Sequence, residues 1–159
     1  MWTELRKNIE SIRKEHKIPE TDFKPVDIHS WEGIEEKIYS TFFNLKNYNG
    51  RLVWLWSDFK QETYAVQFFH SWPFEQLLKL VEPSEPVWLF VNETVNERTK
   101  FWFYEGRINT IVFVLGESFV DEVYIVSKKY EWLLCINHHD ILIATGKHMP
   151  AKLRDIKKQ

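Results

Sequence analysis

The strongest constraint on the fold lies near the end of the chain. "DEVYIVS", "YEWLLCIN" and "DILIATG" are three short runs rich in β-branched and aromatic residues. "KK" separates the first two and "HH" the last two. Breaks this short join antiparallel neighbours, because a parallel connection needs a crossover of a dozen or more residues. Residues 121–146 therefore read as an antiparallel meander.

Upstream, the pattern begins helical. Trp2, Leu5, Ile9, Ile12 and His16 recur at spacings of three and four, with charged residues between them, which makes one stripe of a helix. Pro19 ends it, because the residue before proline avoids helical angles. "IPETDFKPVDI" reads as a loop. A second helix starts at Ser30, a residue type suited to an N-cap, with Trp31, Ile34, Ile38, Phe42 and Leu45 as its stripe. "NYNG" stops it, Gly50 being suited to a left-handed cap.

After Gly50 the texture turns β-rich. "RLVWLW" and "TYAVQFF" read as strands around a turn in "SDFKQE". "SWPFEQLLKLV" reads as a helix capped by Ser71, with Pro73 in its first turn and Phe74, Leu77, Leu78 and Val81 on one face. "VWLF" at 87–90 echoes "VWLW" at 53–56, an internal ββα–ββα likeness of two copies, too few for a solenoid. "KFWFYEG" is the returning strand. "INTIVFVLG" is helix-spaced at Ile108, Ile111, Val112 and Leu115, although its β-branched residues favour a strand, and helix is the reading taken. "PAKLRDIKKQ" closes the chain as a basic, solvated helix.

These readings assemble into one α+β domain over residues 1–159. Two N-terminal helices within 1–49 pack on a largely antiparallel sheet of about seven strands within 50–146, with further helices between hairpins. Residues 147–159 form a basic C-terminal segment. With 21 basic and 23 acidic residues the formal net charge is −2, which offers no field for a phosphate backbone, so nucleic acid is not expected as a partner. The N-terminus has no apolar core for a signal peptide, and "IVFVL" is far short of a membrane span. The cytoplasm is the expected compartment, with no membrane partner. No motif implies a cofactor: there is no GxSxG and no phosphate-cradling glycine loop. Oligomeric state is not legible.

The segment "NHHD" offers the most chemistry. His138 and His139 are adjacent, and neighbours on a regular strand point to opposite faces, so the pair does not easily share a metal. A turn could still carry one histidine into a site with Asp140 as its orienter and a distant residue such as Glu93, Glu122, His70 or His148 as a further donor. The plainer reading is a turn at the surface. Cys135, the one cysteine, lies within an apolar strand and reads as a core residue rather than a nucleophile. Aromatic residues make up 16% of the chain. In "KFWFYEG" they fall on both faces, Phe101 and Phe103 on one, Trp102 and Tyr104 on the other. That suits a strand buried on both sides, or a sheet with one aromatic face open to a protein partner. Glu82, Glu85, Glu93, Glu97, Glu105, Glu117, Asp121, Glu122 and Glu131 fall beside the strands as turn and rim residues. Sharing a face, they would attract a basic partner.

Residues 120–146, "VDEVYIVSKKYEWLLCINHHDILIATG", resemble the C-terminal signature of a small bacterial family of unknown function: "SKKYEWLLC", then "NHHD", then a closing glycine. The likeness reaches back to "VWLFVNE" but finds no motif in the N-terminal helices. It implies a small, bacterial, cytoplasmic, single-domain protein and supplies no activity. The positions it carries over are Trp132, Asn137, His138, His139, Asp140 and Gly146. A looser likeness in composition is to immunity proteins that neutralise bacterial toxins, which are small, mildly acidic, aromatic-rich α+β domains. The leading expectation is a non-enzymatic protein-binding module of that kind, with Trp132, Asn137, His138, His139, Asp140, Glu93, Trp102 and Tyr104 as candidate binding residues and a toxin-like protein as partner. The alternative is a metal-dependent, hydrolase-like enzyme built on His138, His139 and Asp140.

Overall fold

A computed structural model describes residues 3–44, 54–92 and 101–158. Helix α1 spans Glu4–Glu15, strand β1 Phe23–Pro25, and helix α2 Trp31–Phe42. A 3-10 turn at Leu55–Ser57 precedes β2, Thr63–Gln67. A second 3-10 turn, Pro73–Gln76, runs into the short helix α3, Leu77–Leu80. Then follow β3 (Pro86–Asn92), β4 (Phe101–Arg107), α4 (Ile108–Glu117), β5 (Glu122–Ser127), β6 (Trp132–Ile136), β7 (Ile141–Gly146) and α5 (Met149–Lys157). The strands form one antiparallel sheet in the order β1-β4-β3-β5-β6-β7-β2. This is the α+β architecture and the meander expected. No helix among the described residues is long and apolar enough to cross a membrane.

The central strands read as continuous apolar runs because both faces of the sheet are covered. Side chains alternate across a strand. Val87, Leu89, Val91, Val123, Ile125, Leu134 and Ile136 face one layer, built from α1, α3, α4 and α5. Phe90, Phe101, Phe103, Tyr124, Val126, Leu133 and Cys135 face the other, covered by α2. The two N-terminal helices therefore lie on opposite faces: Leu5, Ile9 and Ile12 of α1 in the first layer, Ile34, Ile38 and Phe42 of α2 in the second. On the α2 side, Phe90 stacks on Tyr124 at 4.6 Å and on Phe103 at 5.1 Å. Offset ring pairs of this kind add to area burial.

Some local expectations need correction. The strand count is seven, but the membership differs. "FKP" lies in β1 rather than a loop, paired with β4 through Phe23 and Gly106. A Cβ on Gly106 would lie 2.7 Å from the Asp22 carbonyl oxygen, so only glycine admits β1 this closely. "LW" of "RLVWLW" forms a 3-10 turn with Ser57, and β2 pairs with β7. Tertiary bonds override strand propensity there: the Trp56 backbone N–H donates to the Tyr124 hydroxyl at 3.2 Å. The ββα echo is therefore not a structural repeat among the described residues. At α3 the helical face is Leu77, Leu80 and Val81, while Leu78 is exposed. Ser71 does not cap the helix; the Glu75 carboxylate accepts the Trp72 backbone N–H at 3.2 Å instead. Residues 108–117 are helical, with Ile108, Ile111, Val114 and Leu115 buried. Trp2, Leu45, Gly50, Glu93 and Glu97 lie outside the described residues.

Candidate functional site at one end of the sheet

The strand registers bring several chain segments to one end of the sheet. Asn92 of β3 stands opposite both Phe101 of β4 and Glu122 of β5, Val123 opposite Ile136, and Ile141 opposite Gln67. The segments that leave or enter these strands are thereby neighbours: Phe68–Trp72 after β2, Phe119–Asp121 before β5, and Asn137–Asp140 between β6 and β7.

The turn is built by Asn137. Its side-chain oxygen accepts the backbone N–H groups of His139 at 3.0 Å and Ile141 at 3.1 Å, and its carbonyl accepts the Asp140 N–H at 2.9 Å. This is an asparagine mimicking backbone to close a tight corner. Asp140 completes it in the left-handed region, with φ of 58°. Because His138 and His139 occupy the corner, strand alternation does not govern them. Their rings lie 4.0 Å apart between centroids rather than on opposite faces.

The group behind His138 is Glu122, not Asp140. His138 Nδ1 lies 2.6 Å from Glu122 Oε1, and the His138 backbone N–H donates to the same oxygen at 3.3 Å. The Trp56 indole N–H also donates to it, at 3.2 Å, and the Tyr124 hydroxyl donates to Oε2 at 3.3 Å. Glu122 is fully buried, which corrects its reading as a rim residue. Burial raises its pKa above the ordinary 4.5, opposed by the hydrogen bonds from His138 and Trp56. With the carboxylate ionised, Nδ1 must carry the hydrogen, which leaves Nε2 as the acceptor of the neutral ring. The side chain of His138 keeps 29% of its surface exposed. Trp54 and Trp56 frame it at 5.6 and 5.9 Å, and Trp56 also meets the His139 ring edge-on.

Beneath this lies a closed core. Burial pushes the pKa of the Tyr124 hydroxyl and of the Cys135 thiol well above their ordinary values. Cys135 is a neutral core residue on the face of Leu133, as its strand position implied. Among the described residues, no three His, Cys, Asp or Glu side chains are grouped as a metal ion would require.

On the other face of the sheet, Asp140 lines a groove with Trp72, Phe74, Gly116, Glu117, Phe119, Val123 and Ile136. The turn thus has one side toward the Glu122–His138 pair and another toward an apolar groove. Around this end stand Phe119, 100% exposed, Phe69, 82%, Trp72, 60%, and Trp54, 50%.

The remaining candidates do not join this group. Trp132 opens β6 at the opposite end, paired with Gly146 and buried. Tyr104 is fully buried and stacked on Phe23 at 5.0 Å. Trp102 is part-buried with the Arg6 guanidinium 4.5 Å above its ring. Neither residue of "KFWFYEG" therefore offers an open aromatic face. His148 precedes α5 at the opposite end. Glu93 lies outside the described residues. Sequence reasoning missed Trp54, Trp56, Tyr124, Phe69, Trp72 and Phe119 as site residues. The one signal that touched them was the 16% aromatic content of the chain.

Residues 1–157 match a family of unknown function, DUF6756. The chain belongs to that family. The match extends over α1 and α2, where no family motif was legible. No curated protein and no solved structure matches the chain.

Proposed function

We propose that this DUF6756 chain is a protein-binding module that performs no chemistry, working in the bacterial cytoplasm in the manner of an immunity protein that occludes a toxin. Its contact surface is the sheet end bearing Trp54, Phe69, Trp72 and Phe119. The observation that carries this reading is the distribution of exposed large apolar side chains. Of the seven exposed among the described residues, four are aromatics at this one end. Aromatics left in water next to a concave surface are the usual anchors of protein interfaces.

The test is to isolate a partner by affinity capture, purify it, and measure its affinity by calorimetry against wild type and a Phe69→Ala/Trp72→Ala/Phe119→Ala variant. Loss of two or more anchor residues weakens binding by at least about 100-fold, with the fold unchanged by circular dichroism. Growth rescue by wild type and not by the variant, in cells expressing that partner, marks it as a toxin. A partner that binds the triple variant as tightly as wild type overturns the reading.

The Glu122–His138 pair favours a second reading, the metal-dependent hydrolase. A carboxylate behind one imidazole nitrogen is how proteins orient metal-bound histidines. Thermal unfolding of chelator-stripped protein with Zn²⁺, Mn²⁺ or Ni²⁺ tests it. A rise in midpoint that disappears in the His138→Ala/His139→Ala variant places the metal there by mass action.

A further inference from the structure

The groove beside Asp140 has a chemistry of its own. It encloses about 390 Å³, near the lower end of ligand-pocket sizes and enough for one or two side chains. Trp72 and Phe74, stacked at 6.3 Å, share its lining with Phe119, and all three are rings. Two carboxylates, Glu117 and Asp140, belong to the lining, and no lysine or arginine does. The last turn of α4, Leu115–Glu117, lies against it, and the carbonyls of a helix C-terminus add negative potential. The bias extends past the groove. The described segments that build this end, 54–59, 68–76, 115–122 and 137–141, hold five carboxylates besides the buried Glu122 and no lysine or arginine, whereas the whole chain is nearly balanced at −2.

We infer that this groove seats an amphipathic, cationic segment of the partner. A leucine- or phenylalanine-sized side chain enters between Trp72 and Phe119, and a neighbouring lysine or arginine meets Glu117 and Asp140. The apolar lining selects for a hydrophobic anchor, and the acidic rim selects against anionic segments and steers a basic one toward the groove. This rests on the protein-binding reading above and names the chemistry of its partner.

The fold supplies a way to close the groove without removing any present contact. A Cβ built on Gly116 meets Phe74 Cε2 at 3.6 Å, an ordinary contact, so Gly116→Leu places side-chain atoms in the groove from a helical position. Two blocked heptapeptides serve as probes, Ac-KLLKLLK-NH2 and Ac-ELLELLE-NH2, titrated into isotope-labelled protein and followed by NMR. The lysine peptide is expected to shift the Trp72 indole and the amides of Gly116, Phe119 and Asp140 saturably, with the glutamate peptide at least tenfold weaker. Glu117→Gln/Asp140→Asn weakens the lysine peptide several-fold and narrows its lead over the glutamate peptide. Gly116→Leu abolishes the shifts while its own spectrum stays folded. Equal binding of both peptides, shifts centred elsewhere, undiminished binding to Gly116→Leu, or no binding of either peptide overturns the inference. The calorimetric test of the proposed function is scored separately. A partner lost in the triple variant beside failed peptides means that the face binds through other chemistry, whereas failure of both removes the face as a binding surface.

Discussion

Glu122 is a buried carboxylate. It is fully buried among the donors of His138, Trp56 and Tyr124. Its pKa is raised in the folded chain, so the stability it contributes is present below the ordinary carboxylate value and lost as pH rises through the raised one. Glu122→Gln removes that titration. The midpoint of Glu122→Gln relative to wild type should therefore climb as pH rises above the ordinary 4.5 in thermal melts, and a falling difference would show that the His138 pairing outweighs burial. The two histidines should also separate cleanly in urea denaturation. His138→Ala takes the Nδ1 contact from a buried carboxylate and should cost about 1–3 kcal/mol, whereas His139→Ala should stay within about 0.5 kcal/mol. Equal costs would mean that the pair acts only as turn filler.

The element that organises the site is the turn from Asn137 to Asp140. Asn137→Ala removes the acceptor of two backbone N–H groups and should cost about 1–3 kcal/mol by denaturant unfolding. Asp140 sits at φ of 58°, a conformation that glycine adopts without steric cost. Asp140→Gly should leave stability level or raise it by up to about 1 kcal/mol, while taking one carboxylate from the groove. At the other end of β7, Gly146 has φ of 91°, and a Cβ there would strike the carbonyl oxygen of Glu131. Gly146→Ala should destabilise by at least about 2 kcal/mol, and a smaller loss would show that the β6–β7 register yields there.

At the level of the whole molecule, the sequence was most legible where neighbours in sequence are neighbours in space. The meander β5–β6–β7 and the helices α1, α2 and α4 follow from local periodicity and short breaks. β1 was not legible, because its presence depends on Gly106 far downstream leaving room for Phe23. Leu55 and Trp56 have strand propensity but lie in a 3-10 turn, because Tyr124 and Glu122 hold Trp56 from across the sheet. The site was half-visible for the same reason. "NHHD" marks the turn, but the partner of His138 lies 16 residues earlier on another strand, and nothing in the spacing selects Glu122 over Asp140. The exposed ring of Phe119 is likewise indistinguishable in sequence from the buried ring of Phe90.

The pairing of β2 with β7 has a consequence for how the chain comes off the ribosome. Among the described strands β2 lies at the edge of the sheet beside β7, and its partner residues, Ile141 to Thr145, are made well after it. Roughly 75 residues must be synthesised between the two, about 4–15 s at ordinary elongation rates. During that interval β2 emerges without the strand it will bond, and the pairing that closes the sheet is one of its most distant contacts, the kind that slows folding. Completion of the sheet is thus deferred until β7 has emerged, and a nascent chain halted before Ile141 would lack both this edge and the closed His138 turn beside it.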